Sequence, residues 1–596
     1  MKKTTIKGAA GALAALSVAG LVLPVATSVT ANAAAKVGGL DVAYNNPKKA
    51  IKNGTLKAAY ISDTPFVGQW VQALSNDATS SSLEAPALGA SIWTDKNFKF
   101  IKGGPVTLTV DDDAKTVTLD INKDYKWSDG SDVTAKDFEF EYELIANPAY
   151  GSDRYTDSLA NIEGLEEYHE GKATSISGLE MPDGENGKKL VVHFKEMKPA
   201  MDTSGNGYFL ETPEPYQYLK DVKPEDLAKD AKTTTKPLTL GPFKVKKIVA
   251  GESISYERNP YYFGKKANLK QVTYSIVAPS KAVASAKAKE YDFYNGASND
   301  LYDKFKKVSG YKITGQQSLY FSAMYYNLGH YDTETSMNVT DRKTPLQNVK
   351  VRQALGYARN VAQVLKKYDN GLATLANTTI PPVFSAYANK SVKAYDYNEK
   401  KANKLLDEAG YKWHDSKKKD YRVDPETGKK LSLVYLARSG TAASQTTAQN
   451  YIQKWKAVGV KVTLYKNKMT DFNTWVSMMT DPTSDQNWDI TDGAWSLSSD
   501  PSQQDLFSAS APYNFGHFTS EKLTTLLNNI DSDKAFSKSY RVKAFKAYQK
   551  YVHDSAFIIP TKFTIDYTPV NERVKNFSNA FGQHESWSKL AVTSKK

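Results

Sequence analysis

The residue frames that covalent or metal chemistry needs are missing from this chain. No HExxH run offers two histidines to a metal from one helix face, and no GxSxG elbow presents a serine. Each Gly-Lys pair is followed by Lys or Ala, so no glycine-rich loop ends in the Lys-Ser/Thr that grips a nucleotide phosphate. There is no cysteine, which removes disulfides, thiolate metal sites, cysteine nucleophiles and thioether-linked lipid. His193 stands in an alternating strand pattern with no second histidine or acid at metal spacing. Acidic neighbours such as Asp111-Asp112-Asp113 and Glu166-Glu167 fall in turns and loops, where a solvated face is their ordinary role. A pair of glycosidase acids can lie far apart in sequence, but nothing here supports one. No catalysis, no cofactor and no metal are expected. The positive signal is aromatic. Trp127, Trp455, Trp475, Trp488 and Trp495 lie near turns or strand ends, and large apolar side chains with a polar tip suit binding sites as well as cores.

The elements that must position these residues read as α/β. Thr55 to Ile61 forms a strand running into the turn Ser62-Asp63-Thr64-Pro65. Val106, Leu108 and Val110 alternate with polar residues, as do Val117, Leu119 and Ile121, and the acidic turn between them makes a hairpin. Thr134 caps a helix, answered by Asp137 three residues on, and Asn147-Pro148 ends it. Residues 190–194 give another strand. A second hairpin runs from Gly241-Pro242-Phe243 to Arg258, with a further strand at 272–277. Then Val351, Leu355, Ala358, Val361 and Leu365 share one helix face, with Asn348 as cap and Gly371 beyond the end. Asn398 caps a second helix stopped by Gly410. A third helix through Trp455 stops at Gly459 and leads at once into the strand 460–464.

With 596 residues, the chain is too long for one hydrophobic core. Its 40% hydrophobic and 12% aromatic content is that of a folded protein. The net charge of +13 calls for an anionic neighbour. Lys2, Lys3 and Lys7, an uncharged run over residues 9–23, Pro24 and the small residues 31–35 make a secretory signal peptide over residues 1–35. Its removal takes three lysines from the +13 and leaves +10. In an exported protein, that surplus points to an anionic cell-wall polymer rather than nucleic acid, with binding that weakens in salt.

Six stretches, in order, resemble the extracellular solute-binding proteins of the peptide/nickel ABC-transporter family. Trp127-Ser-Asp-Gly-Ser-Asp-Val-Thr-Ala-Lys-Asp137 is similar to the family's W-[ST]-D-G-x-x-[VF]-T-A-x-D run. Gly241-Pro-Phe with Arg258-Asn-Pro-Tyr-Tyr262 resembles its G-P-[YF] and R-N-P hairpin. Val351-Arg-Gln-Ala-Leu355, Ala402-Asn-Lys-Leu-Leu-Asp-Glu-Ala-Gly-Tyr411 and Trp455-Lys-Ala-Val-Gly-Val-Lys-Val462 resemble its helical segments. Trp488-Asp489, Ala494-Trp495 and Asp500-Pro501 resemble its F-D, W and D-P segment. Ser62-Asp-Thr-Pro-Phe66 and the stretch from Arg154 to His169 are further similar to oligopeptide-binding proteins of lactic acid bacteria.

The resemblance implies a two-lobe, periplasmic-binding-protein-like α/β fold. Lobe I would span 36–315, with an extra subdomain at about 66–200. Lobe II would span 316–561, and 562–596 would return to lobe I. It implies capture of oligopeptides between lobes by hinge closure, delivery to an ABC permease, and pairing of extended peptide with protein backbone. In the family's peptide binders, an Asp three residues after the motif tryptophan holds the peptide amino group. Here that position is Ser498, and Asp492 or Asp500 is left to substitute. The resemblance places Asp492, Ala494, Trp495, Ser498 and Asp500 at the ligand, with Phe472 beside them. Asp63, Thr64 and Phe66 would come from the facing strand end, and Tyr320, Phe321 and Tyr325 from the hinge. A secreted monomer without a lipid anchor is expected, held at the cell surface or wall by charge. Two alternatives stay open: the same fold with a non-peptide or wall-derived ligand, and a wall-associated surface protein without a transport role.

Overall fold

The computed structural model describes residues 36–75, 78–152, 154–439 and 443–596. The signal peptide read from residues 1–35 lies outside them. No described helix is long and apolar enough to cross a membrane.

The chain divides into two compact units. A central unit comprises Gln317–Leu497 and Pro501–Thr564. An N-terminal unit comprises the described part of Leu16–Gln316 together with Ser498–Asp500 and Ile565–Lys596.

In the N-terminal unit the strands of the two larger sheets include, in chain order, β1 (Thr55–Ile61), β2 (Val106–Asp111), β3 (Thr116–Ile121), β4 (Leu179–Glu180), β5 (Lys189–His193), β6 (Phe243–Val249), β7 (Ser253–Arg258), β8 (Gln271–Val277) and β9 (Phe293–Asn295). Helix α1 (Ala135–Ala146) follows β3. The main sheet is mixed. β1 lies parallel between β8 and β9, and β8 continues antiparallel into the β7–β6 hairpin. Ala58 sits opposite both Tyr274 and Phe293, whose rings meet edge to face over the small side chain. A separate four-stranded sheet, in the order β2-β3-β5-β4, has its own core of Val117, Leu119, Leu190 and Val192 under Phe138 of α1. The Thr134 backbone N–H donates to Asp137 at 2.9 Å, which closes the expected capping box. His193 is a strand residue bonded to Glu180.

Strand β10 (Tyr311–Tyr326) and strand β14 (Ile558–Asn571) each carry the chain from one unit to the other. Between them the central unit adds α2 (Val349–Ala358), α3 (Val361–Tyr368), α4 (Glu399–Glu408), β11 (Ser432–Leu436), α5 (Ser444–Ala457), β12 (Lys461–Leu464), α6 (Phe472–Thr480) and β13 (Ile490–Ser496). β11 pairs parallel with β12 and with β13, and β13 pairs antiparallel with β10. The turn from α5 to β12 requires Gly459. Its φ is +84°, and a Cβ there would stand 2.7 Å from both Arg422 and Trp413. Trp455 of α5 is fully buried and donates its indole N–H to the Leu355 carbonyl of α2 at 3.0 Å.

One expectation needs correction. The apolar face from Val351 to Leu365 belongs to two helices. α2 ends at Ala358, Arg359 is extended (φ −86°, ψ 119°), and the Asn360 side chain accepts the Gln363 N–H to start α3. Both helices bury the same side, so the apolar period runs across the break unbroken.

Candidate ligand-binding face

The break between α2 and α3 frees Arg359 from the helix and turns it toward β13. Its Nη1 lies 2.7 Å from Asp492 Oδ1, a charge pair rather than an aligned hydrogen bond. Tyr435 of β11 donates its hydroxyl to the other Asp492 oxygen. The Arg359 guanidinium lies 3.9 Å from the centroid of the Tyr451 ring of α5. Burial alone would push the Arg359 guanidinium down, but Asp492 reverses the sign and holds it above its ordinary value. Burial first, and then Asp492, raises the Tyr435 hydroxyl, so Tyr435 stays a donor. Arg359 is 4% exposed, whereas the Asp492 side chain keeps 27% of its surface in water. The pair therefore has a closed cationic end and an open anionic end.

Strand β13 presents two faces. Asp492, Ala494 and Ser496 share one with Met324, Ser322 and Tyr320 of β10. Thr491, Gly493 and Trp495 share the other with Tyr325, Ala323 and Phe321. The second face is aromatic. Trp475 of α6 donates its indole N–H to the Thr491 hydroxyl at 2.7 Å, and that hydroxyl donates to the Leu436 carbonyl. Trp495 packs against Tyr513 and Phe515, and Trp475 meets Phe515 edge to face. Gly493 makes room for this layer: a Cβ there would lie 2.9 Å from the Tyr325 ring. The Tyr325 hydroxyl and the Trp495 indole nitrogen are buried neighbours without a well-formed hydrogen bond among the described residues, and burial raises the hydroxyl. Arg438, just beyond β11, lies over the Trp475 ring at 4.7 Å and the Phe472 ring at 5.5 Å.

β13 also has an open edge. β11 ends at Leu436, so its pairing with β13 stops at Thr491, while β10 accompanies β13 on its other side as far as Ser496. From Asp492 to Ser496 the edge facing away from β10 carries no strand among the described residues. Alternate backbone N–H and C=O groups there can pair with an incoming extended chain.

Of the residues singled out in the sequence, Tyr320, Phe321, Tyr325, Asp492, Ala494 and Trp495 adjoin on β10 and β13, and Phe472 joins them by stacking on Trp475. Ala494, Tyr320 and Phe472 are exposed. Phe321 is a fully buried core side chain, which the alternation of β10 dictates. The others belong to the N-terminal unit. Asp63 and Thr64 are exposed, in a turn where the Thr64 N–H donates to the Ser62 hydroxyl. Phe66 is 4% exposed and packs in the core with Leu56 and Tyr274. The Ser498 hydroxyl folds back onto the Asp500 backbone, donating to its carbonyl and accepting its N–H. Arg359, Tyr435 and Arg438 went unread in the sequence, and Tyr451 was legible only as a position on the third helix face. The one local signal was Asn360, a capping residue inside an apolar helical period. Among the described residues, no group of three or more acids and histidines is arranged to hold a metal ion.

Comparison with known proteins gives the family. Residues 85–517 match the family described as bacterial extracellular solute-binding proteins, family 5 Middle. The chain is 55% identical over 573 residues to the oligopeptide-binding protein OppA of Lactococcus lactis subsp. cremoris (strain SK11), covering 96% of this chain and 95% of that one. It is 26% identical over 449 residues to the oligopeptide-binding protein AppA of Bacillus subtilis (strain 168), covering 73% of each. Among solved structures, lactococcal OppA complexed with an endogenous peptide in the closed conformation matches with a TM-score of 0.82 at 56% identity, over 90% of this chain and 100% of that one. Bacillus subtilis AppA in complex with a nonapeptide shares the fold, with a TM-score of 0.68 at 21% identity, over 92% of this chain and 100% of that one.

Proposed function

The chain belongs to the bacterial extracellular solute-binding proteins of family 5, and on that premise we propose that it captures oligopeptides outside the cell and hands them to an ABC permease. It is a binding protein, not an enzyme. Its relatives of more than half identity are named for oligopeptide binding. The observation that carries the reading to this chain's own residues is the open edge of β13 at Asp492–Ser496.

An extended peptide added there forms main-chain hydrogen bonds that do not depend on its sequence. The neighbouring groups then take what the peptide presents. The open end of Asp492 suits a peptide amino group, since Arg359 and Tyr435 leave lone pairs on both carboxylate oxygens. Tyr320, Ala494 and Phe472 offer exposed apolar surface to side chains. Asp63, Thr64, Ser498 and Asp500 are assigned to the same ligand from the N-terminal unit, which also includes 36–315 and 562–596 on this reading. Phe66 and Phe321, also carried by the resemblance, are core side chains of their own units.

We assign the protein to the outside of the cell after removal of residues 1–35. With no cysteine to carry a thioether-linked lipid, retention at an anionic wall polymer rests on the +10 charge. Native mass spectrometry of the purified full chain should release peptides of mixed sequence, and isothermal titration of the emptied protein with short peptides should saturate. Silence across a mixed peptide library removes the assignment.

A further inference from the structure

Arg438 stands apart from every other arginine described. Each of the others makes at least one hydrogen bond or ion pair. Arg438 makes neither among the described residues. Its guanidinium lies over the ring faces of Trp475 and Phe472. A half-buried guanidinium in this state has lost much of its hydration without gaining a partner for any of its five N–H donors. Ring contacts engage the face of the guanidinium and leave those donors, which lie in its plane, unspent. Burial bears on the group, shifting it below its ordinary value, and the nearby Asp492 charge only partly offsets this.

The local charge count points the same way. Asp492 is the carboxylate that bears on Arg438, and its single negative charge is already paired with Arg359. Two arginines thus share one acid, and the set carries one uncompensated positive charge on the aromatic side of the sheet. Arg359 is 4% exposed, whereas Arg438 is only partly buried, so an outside group can reach it.

We propose that Arg438, held over Trp475 and Phe472, is the receptor for a carboxylate of the bound ligand. The guanidinium plane matches a carboxylate with two parallel hydrogen bonds, and the rings beneath it fix its orientation before the ligand arrives. The carboxylate can be a peptide's C-terminus or an Asp or Glu side chain. This inference rests on the oligopeptide reading given above.

The test compares three pentapeptides on the full chain by isothermal titration: a neutral Gln-containing peptide with a free C-terminus, its C-terminal amide, and that amide with Glu in place of Gln. The neutral amide should bind most weakly, by about tenfold to a hundredfold, the range expected for a charge-assisted pair. A gain by the free C-terminus identifies the terminus as the group read, and a gain by the Glu peptide identifies a side chain. Arg438→Gln should erase the gain, so that its three affinities converge, and Arg438→Lys should keep part of it. Equal binding of all three peptides to the unaltered protein overturns the role of Arg438 and leaves peptide capture standing. This ligand-side comparison does not depend on either variant folding. If none of the three binds, and a mixed library is silent too, the peptide reading fails and this inference fails with it.

Discussion

Replacing Asp492 by Asn removes the anion that Arg359 faces while keeping the shape of the side chain and an oxygen for the Tyr435 hydroxyl. Arg359 is 4% exposed, so its charge stays inside the protein when the partner is lost. Breaking a buried pair from one side costs about 3–5 kcal/mol, most of it the penalty of the stranded charge. The 27% exposure of the Asp492 side chain lets water already screen the pair, which places the expected loss at the lower end, about 3 kcal/mol. Arg359→Met strands the opposite charge, but that charge reaches solvent. It also loses the Tyr451 ring contact, and the sum is about 2 kcal/mol. The double variant leaves no stranded charge, so its loss should be smaller than the sum of the two single losses by about 2 kcal/mol. Urea unfolding of the full chain, followed by tryptophan fluorescence, reads this difference, because the buried Trp455 and Trp475 lie in the same unit as the pair. If the two losses add to within about 0.5 kcal/mol, the two residues do not hold one another and the account of the helix break fails.

Two further outcomes follow from packing and from proton linkage. Gly493→Ala pushes a methyl to 2.9 Å from the fully buried Tyr325 ring; it should cost about 1–3 kcal/mol and alter the near-ultraviolet circular dichroism, and a variant of unchanged stability and spectrum would show that the ring is not confined. In the N-terminal unit, burial pushes the Glu214 carboxyl up to about 8 and that of Glu211 up to about 7. The native state therefore keeps protons that the unfolded chain releases above its ordinary carboxylate range, so this contribution to stability is present at pH 5 and is lost as pH rises through 7 and 8. Thermal melting at pH 5 and pH 8 should differ in that direction, and Glu214→Gln, whose amide oxygen can still accept the Gln72 N–H, should flatten the difference; parallel pH profiles for the two proteins would rule this out.

Strands and caps were readable where one physical rule dominated. β2 and β3 alternate because one side is core and the other is wet, and Thr134 with Asp137 names a helix start by local chemistry alone. The α2–α3 break was hidden because hydrophobic periodicity reports the buried side, and that side is the same in both helices. Asp492 was legible as a candidate only through the resemblance around Trp495. Its cation was not, because Arg359 reaches it through a tertiary turn that no spacing encodes. Arg438 was unreadable for a different reason. Its significance lies in what it does not touch, and a sequence displays no missing partner. The exposure of Ala494 and the burial of Phe321, by contrast, follow from strand alternation once the register of β10 against β13 is known.

The crossings inside β10 and β14 set an order of completion. Residues 565–596 supply the N-terminal unit with Arg573, whose guanidinium pairs at 2.7 Å with the fully buried Asp292, and with Val570, the antiparallel neighbour of Phe293. They also supply Val592, which closes on Gly54 so tightly that a Cβ there would stand 2.5 Å away. During synthesis the central unit has all its residues once Thr564 has been added, whereas the unit begun first waits for the last segment of the chain. Until then Asp292 lacks its arginine and β9 lacks its β14 neighbour. The tail is thus the latch of the half of the chain that is made first.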